Sequence, residues 1–487
     1  MHHHDLAVLA ALGAGIAALT LLTEAAARAG VVPTWLARKC LHVGAVGACA
    51  CAPLWVSDLG PVVWLVAAAE PVLLWLVGTG RLMREEGGRR SWGIALFPLA
   101  YLALLLAFPH NRLLIALPMG ILALADAAAA VAGNLLARRF FALTGDRKSV
   151  AGSLAFALVA LALLWFFFPQ PLTVPGGQTH PWAWLFVLGS LACALACLEA
   201  LGSGGMDNVY VPVGAALFLA AFQQLYAAWL FALWVAAVPL AILFVVWTTR
   251  RKTLSAAGAL AAALMGLWVA TAAGPRWLLP LFAFFLSSAL MGRWASRQKP
   301  RAADAKYGRP RDALQVLCNG GPYAAAAGAA LWMPAPEPAA LAMAAAMAGA
   351  TADTWSSEFG QAFKGPTIDI ARLRPVQPGL SGGISLAGTL AGVAGAVGMA
   401  LLCSRLTDVF RPLDFWFIAL AGVAGMLLDS LLGALLQAKY RPSEGGDRQD
   451  APGPNTLHVS GYSWMTNDAV NLLANTVVTL AAFAFSA

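Results

Sequence analysis

The chain has 487 residues, of which 60% are hydrophobic and only 11% charged, against roughly 25% charged residues in a soluble domain. Its net charge is +8, but the basic residues lie between apolar runs, which speaks for membrane topology and against nucleic-acid binding. A soluble globular domain is excluded, and the expectation is an all-α polytopic integral membrane protein of roughly 14–16 transmembrane helices.

In chain order, the apolar runs place helices near 6–28, 40–56, 61–78, 92–108, 112–133, 150–168, 182–200 and 209–225. They continue near 228–248, 254–272, 275–291, 320–333, 338–352, 383–403, 412–437 and 464–485. The run 320–333 is short and reads as a span or a re-entrant segment. The first run is longer than a signal-peptide core and has no basic region before it, so cleavage is not expected. The seven cysteines (40, 49, 51, 193, 197, 318, 403) lie mostly inside these runs and form no CxxC pair. They read as small hydrophobes, not as a disulfide framework or zinc site.

With residue 1 outside and the segments alternating, all of the 31 Lys and Arg except Arg112, Arg276, Arg405 and Arg411 fall in inside loops. The positive-inside rule then fixes the orientation. A multi-pass protein of a bacterial inner membrane, with its polar loops facing the cytoplasm, is expected.

Those polar loops occur twice. Ala125-Asp126 is followed seven residues on by Gly133, and Ala352-Asp353 seven residues on by Gly360. Ser149, Gly152, Ser153, Leu154 and Ala155 are matched by Ser385, Gly388, Thr389, Leu390 and Ala391. Glu199 precedes Asp207-Asn208 as Asp429 precedes Asn467-Asp468, and Arg38-Lys39 before Gly44 resembles Arg251-Lys252 before Gly258. The offset is eight segments throughout, and an even offset gives two halves of the same orientation, a parallel repeat. The boundary falls near 248, giving halves 1–248 and 249–487. A transporter concentrates polar groups near the midplane; here they gather at the inner surface, where a soluble and a lipid substrate can meet.

Asp126 and Asp353 are ionisable groups within or at the end of apolar runs, a signature of function; a helix-capping or Arg-paired Asp is the plainer reading. Carboxylates near a membrane surface suit Mg²⁺ bound with phosphate oxygens. The stretch GDRKSVAGS supplies a counterpart. Gly145 and Gly152 permit close backbone approach, Ser149 caps the next helix whose N–H groups favour an anion, and Arg147 and Lys148 add positive charge. An ordinary positive-inside loop with a cap has the same composition. In the second copy Gly379, Gly382 and Gly383 form the cradle, with Arg372 or Arg374 for charge.

Glu199 and Asp207 bracket a glycine-rich loop and offer a second metal contact or a general base; Asp429, Asn467 and Asp468 take those places later, with Asn471 on the same helix face as Asn467. His42 is either a base for an alcohol or a helix-end histidine bonded to headgroups or backbone. Asp353 and Glu358 are five apart, so both serve one ion only if the helix ends or bends between them. A metal, a phosphate cradle and a base together indicate phosphoryl transfer.

The stretches RKCLHVG, ADAAAAVAG, RKSVAGS and EALGSGGMDNVYVP, over roughly residues 35–225, resemble the polyprenol kinase family, which includes dolichol, phytol and CTP-dependent diacylglycerol kinases. Ala125 and Ala151 stand where that family usually has Gly and Glu. The stretches RRKTLSAAGALAA, GRPRDALQVLCNGG, ADTWSSEFG, PGLSGGISLAGT, LLDSLLGALLQ and NDAVN, over roughly 250–480, resemble the family containing plant phytyl-phosphate kinase and a mammalian transmembrane relative. Leu380-Ser381 stands where Thr-Asn is usual.

The resemblance implies two consecutive kinases. The first converts an isoprenoid alcohol such as phytol or geranylgeraniol to its monophosphate, and the second makes the diphosphate, with Mg²⁺ and CTP, UTP or ATP. It assigns Asp126, Glu199, Asp207, Asp353, Glu358, Asp429 and Asp468 to metal. Lys148 and His42 join these acids, Glu358 excepted, in catalysis. It assigns Arg38, Lys39, Gly133, Ser149, Gly152, Ser153, Asn208, Glu358, Gly382, Gly383, Ser385, Gly388, Asn467 and Asn471 to nucleotide. Other readings are a dolichol-, undecaprenol- or diacylglycerol-type kinase making only a monophosphate, a lipid-phosphate flippase, and a cytidylyltransferase. The expected partners are the isoprenoid alcohol and monophosphate, a nucleoside triphosphate and membrane lipids.

Overall fold

A computed structural model describes residues 3–79, 92–169, 180–298, 310–363, 365–443, 446, 448–453 and 455–486. The basic residues at 81–90 and 299–309 and Lys364, used above for orientation, lie outside the described residues.

The first compact unit is Met1–Val238. It contains α1 (His3–Arg28), α2 (Thr34–Trp55), α3 (Gly60–Gly78), α4 (Gly93–Ala107) and α5 (Leu113–Leu136), then a hairpin β1 (Phe140–Ala142) and β2 (Arg147–Ser149). Helices α6 (Val150–Phe167), α7 (Pro181–Leu201) and α8 (Asp207–Gln224) follow, and α9 (Ala227–Arg250) crosses the boundary. The first half of α9 packs Trp234 against Phe218 and Phe222; the second half packs Phe244 and Trp247 against Phe285.

The second unit is Pro239–Ala487. It continues with α10 (Ala256–Ala272), α11 (Leu278–Gln298), α12 (Ala313–Ala329), α13 (Glu337–Ala362) and a clasp of β3 (Ile368–Asp369) with β4 (Gly383–Ile384). Then come α14 (Leu386–Leu406), α15 (Pro412–Leu435), a hairpin of β5 (Lys439–Pro442) with β6 (Thr456–Ser460), and α16 (Asn467–Ser486).

These helices follow the order of the sixteen apolar runs. Ten among the described residues are long and apolar enough to cross a membrane: α1, α3, α5, α6, α7, α9, α14, α15, α16 and the stretch Pro275–Ala295, a 3₁₀ turn running into α11. The chain is thus an all-α polytopic membrane protein. Two expectations shift. The run near 320–333 is a complete helix that begins earlier, because Asp312 caps it and Gln315 reaches back in a capping box. The run near 338–352 extends ten residues further, to Ala362.

Each unit is built around one helix. In the first, α5 packs against α2, α6 and α8, and its face from Leu114 to Ala129 is buried. In the second, α13 packs against α11, α12, α14, α15 and α16. Its residues Ala339 to Ala352 are buried without a gap, as expected of a helix surrounded on all sides. Small residues make this possible: a Cβ on Gly422 would lie 2.9 Å from both Ala348 and Ala396 Cβ.

Candidate functional site

In the first unit, Asp126 lies on the central helix α5 and is 9% exposed. Its Oδ2 accepts from Lys39 Nζ at 2.6 Å and lies 3.3 Å from His42 Nε2. Lys39 and His42 reach it together because they are one turn apart on α2. His42 Nε2 is also 3.4 Å from the Leu122 carbonyl, so this histidine is held inside the bundle by an acid and a backbone oxygen.

Glu199, in the last turn of α7, and Asp207, the first residue of α8, are brought opposite by the loop between them. That loop needs its glycines. Gly204 and Gly205 have φ of +61° and +94°. A Cβ on Gly202 would stand 2.4 Å from Asp207 N, and one on Gly205 would stand 2.4 Å from Gly93 N.

The β1–β2 hairpin carries Lys148 into the gap. Its Nζ is 2.5 Å from Glu199 Oε1 and 3.1 Å from Asp207 Oδ2. Asp146 Oδ2 ties the hairpin down by accepting from Gly204 N at 2.8 Å, and Thr144 Oγ1 donates to Leu201 O at 3.2 Å. Burial alone would drive the Lys148 proton off, but the facing carboxylates of Asp207 and Glu199 outweigh it and hold the ammonium above its ordinary range.

Carboxylate oxygens of Asp126, Glu199 and Asp207 all lie within 4.8 Å of one another. Three hard oxygen donors so close fit Mg²⁺ in kind, and Lys39 and Lys148 supply the compensating positive charge. Around them opens a cleft of about 300 Å³, with Gly133, Arg147, Ser149 and Ser153 in its wall. Ser149 caps α6, its Oγ accepting from Gly152 N at 3.0 Å. A Cβ on Gly152 would sit 2.8 Å from Ala129 O, so this glycine sets the α5–α6 approach. Ser153 Oγ is buried without a partner. Arg147 lies 4.1 Å above the Phe140 ring.

Of the residues singled out in this half, Lys39, Asp126, Gly133, Lys148, Ser149, Gly152, Ser153, Glu199 and Asp207 line one cleft, with His42 behind Asp126. Asn208 does not line it; its amide abuts Gly93 of α4. Arg38, exposed on α2, is also absent from the lining.

In the second unit, Asp353 of α13 and Asp429 of α15 line one small cavity together. The Asn471 amide, oriented to satisfy its surroundings, donates to Asp429 Oδ2 at 2.8 Å and to Asn467 O at 3.0 Å. These groups face a cavity of about 10 Å³ whose wall also includes Asn319, Gly349, Gly425 and Asn475. Sequence reasoning missed Asn319 and Asn475. The signal for Asn475 was present, since Asn467, Asn471 and Asn475 recur every four residues along α16.

Several expected partners lie elsewhere. Gly382 and Gly383 do not line the cavity. Gly382, at φ +90°, packs against the end of α15, where a Cβ would be 2.5 Å from Ala434 Cβ; Gly383 pairs with Asp369 in the β3–β4 clasp. The loop is held by groups remote in sequence. Ser381 N and Oγ donate to Asp450 Oδ2 at 2.9 and 2.7 Å, and buried Lys439 donates to Ser381 O at 3.0 Å. Ser385 caps α14 through Gly388 N at 3.2 Å, and Gly388 packs on Ser356 O and Gly360.

Asn467 contributes a carbonyl to Asn471, and Asp468 is outside the cavity wall. Glu358 is a correction. Helix α13 runs unbroken past it, so it points about 140° away from Asp353, toward Gly292 of α11 and Arg311. It cannot share an ion with Asp353.

The chain belongs to the family described as integral membrane protein DUF92, whose model matches residues 239–479. It is similar to Protein PGR of Arabidopsis thaliana, at 30% identity over 46% of this chain and 86% of that protein. It is also similar to a phytol kinase of Synechocystis sp., at 31% identity over 43% of this chain and 89% of the kinase. An uncharacterised membrane protein of Methanocaldococcus jannaschii is 30% identical over 39% of this chain and 77% of its own length. No solved structure matches.

Proposed function

We propose that this chain is a fused membrane kinase of the phytol-kinase type, whose first unit phosphorylates an isoprenoid alcohol and whose second phosphorylates the resulting monophosphate. The observation that carries the reading is the first unit's cleft: Asp126, Glu199 and Asp207 within 4.8 Å of one another, beside Lys39 and Lys148. The similarity of part of the chain to a phytol kinase supports it.

Asp126, Glu199 and Asp207 would hold Mg²⁺, which when bound neutralises charge on the phosphates during transfer. Lys39, Lys148 and Arg147 draw the triphosphate of CTP, UTP or ATP into the cleft. The γ-phosphoryl group passes to the oxygen of phytol, geranylgeraniol or a similar alcohol from the bilayer, while its bond to the β–γ bridging oxygen breaks and the nucleoside diphosphate leaves. An oxygen of one of these three carboxylates that is turned away from the ion takes the hydroxyl proton as the new P–O bond forms. In the second unit, Asp353, Asp429 and Asn471 serve the same chemistry on the monophosphate. The sites are placed on the cytoplasmic face of a bacterial inner membrane, and the distribution of Lys and Arg supports that side of the membrane.

The test is incubation of the purified full-length protein with Mg²⁺, each nucleotide in turn, and phytol, farnesol or geranylgeraniol, followed by product identification. Monophosphate and diphosphate are expected. Lipid moving between leaflets without nucleotide consumption would reject kinase chemistry in favour of a flippase. One observation favours a single-step kinase as the second reading: the second unit's cavity is about 10 Å³, against about 300 Å³ in the first. Monophosphate as the sole product would establish it.

A further inference from the structure

Asn475 lies on α16 with only 6% of its surface exposed. Its Nδ2 donates to the Asn319 carbonyl at 3.0 Å, which fixes the amide orientation. The opposite atom, Oδ1, is buried and has no hydrogen-bond partner. The residue lines the same small cavity as Asp353 and Asp429. Gly349 on α13 gives the oxygen its room: a Cβ there would be 3.3 Å from Asn475 Oδ1.

A buried acceptor with no donor is costly, and this one stands beside two carboxyl groups, themselves acceptors when ionised. Another acceptor cannot satisfy it. Among the described residues the cavity wall holds no Lys or Arg, in contrast to the first unit, where two lysines stand among three acids. What fits is a small cation that takes oxygen ligands. About 10 Å³ is close to the room needed by one water-sized occupant, and two carboxylates with amide oxygens form a donor set for a divalent ion.

We propose that Asn475 Oδ1 is a ligand of a divalent cation held by Asp353 and Asp429, with the Asn319 carbonyl orienting the amide. This rests on the second unit being a metal-dependent site. The neutral amide adds a ligand without adding charge, so the site keeps two negative charges for one doubly charged ion.

The test uses the full-length protein with Asp126→Asn as background, to remove the first unit's contribution, and Mn²⁺ as the probe, counted by electron paramagnetic resonance. Three further changes are compared: Asn475→Leu, Asn475→Asp and Asp353→Asn. Expected are at least tenfold weaker Mn²⁺ binding for Asn475→Leu and binding equal to or tighter than background for Asn475→Asp, with Mg²⁺ competing in both. Asn475→Asp keeps the ligand oxygen and so guards against misfolding as the cause. Unchanged Mn²⁺ binding in Asn475→Leu, with binding lost in Asp353→Asn, would overturn the role of Asn475 and leave the metal site standing. Mn²⁺ binding unaffected by Asp353→Asn would reject the metal site and the inference with it.

Discussion

Lys148 shows how one side chain can join two acids that the sequence separates. It sits between Glu199 and Asp207 at 2.5 and 3.1 Å, and removing it leaves a buried and a half-buried carboxylate facing one another. Breaking such a pair costs up to about 3 kcal/mol, the low end for buried pairs. The folded-state proton affinity of Lys148 is raised. Its contribution is therefore complete below the unfolded lysine value of about 10.4 and fades only as pH rises through the higher folded value. Thermal unfolding of the wild type and Lys148→Met, followed from pH 6 to 9, should give two parallel curves, the variant lower throughout. Phosphorylation of the alcohol by Lys148→Met should fall by about 100-fold, as for loss of one electrostatic stabiliser. The acids of this cluster were legible in the sequence because charge is conspicuous in apolar helices. Their pairing was not: Lys39 and Asp126 are 87 residues apart, and only the α2–α5 packing brings them together. Whether Glu358 joins Asp353 was left open by the sequence, because nothing local reveals whether a helix continues past an acid.

At the scale of the elements, each unit carries the same junction: a serine caps a helix, and the glycine three residues on lies against a carbonyl of the unit's central helix. Gly152 meets Ala129 O and Gly388 meets Ser356 O, each at 2.8 Å from an added Cβ. Neither carbonyl can retreat without distorting its helix, so Gly152→Ala and Gly388→Ala should each destabilise by about 1–3 kcal/mol. Gly189→Ala is the control. Nothing lies within 4 Å of its would-be Cβ, and a helix interior gains up to about 1 kcal/mol from the exchange. Scanning fluorimetry in detergent orders the three variants; equal melting temperatures would contradict the close approach. The serine caps could be read from the sequence because a cap is local. The β3–β4 clasp and the β5–β6 hairpin could not, since they are two to five residues long and depend on contacts such as Ser381 with Asp450, 69 residues away. The start of α12 lay ahead of its apolar run because polar capping, not hydrophobicity, begins that helix.

Among the described residues the molecule carries two acidic centres, one in each unit, and they differ in how charge is balanced. The first has three carboxylates with lysines among them and an open cleft; the second has two carboxyls in a small cavity lined also by Asn319, Asn471 and Asn475. If each is the centre of its own reaction, damage to one must leave the other's substrate intact. Asp126→Asn removes a carboxylate charge but keeps the side chain's size, so the protein should still fold and insert. It should lose conversion of phytol to monophosphate by about 100-fold or more, yet convert supplied phytyl monophosphate to diphosphate at the wild-type rate. Asp353→Asn should accumulate monophosphate from phytol and fail on supplied monophosphate. Chromatography of labelled lipids, with alcohol and monophosphate fed separately to both variants, reads all four combinations. If Asp126→Asn stops both steps while the protein remains folded, the two centres belong to one reaction. If Asp353→Asn leaves the second step intact, the second centre is structural. The separation of the two losses, rather than either loss alone, is what makes the fused arrangement testable, because a general defect in folding or membrane insertion would lower both together.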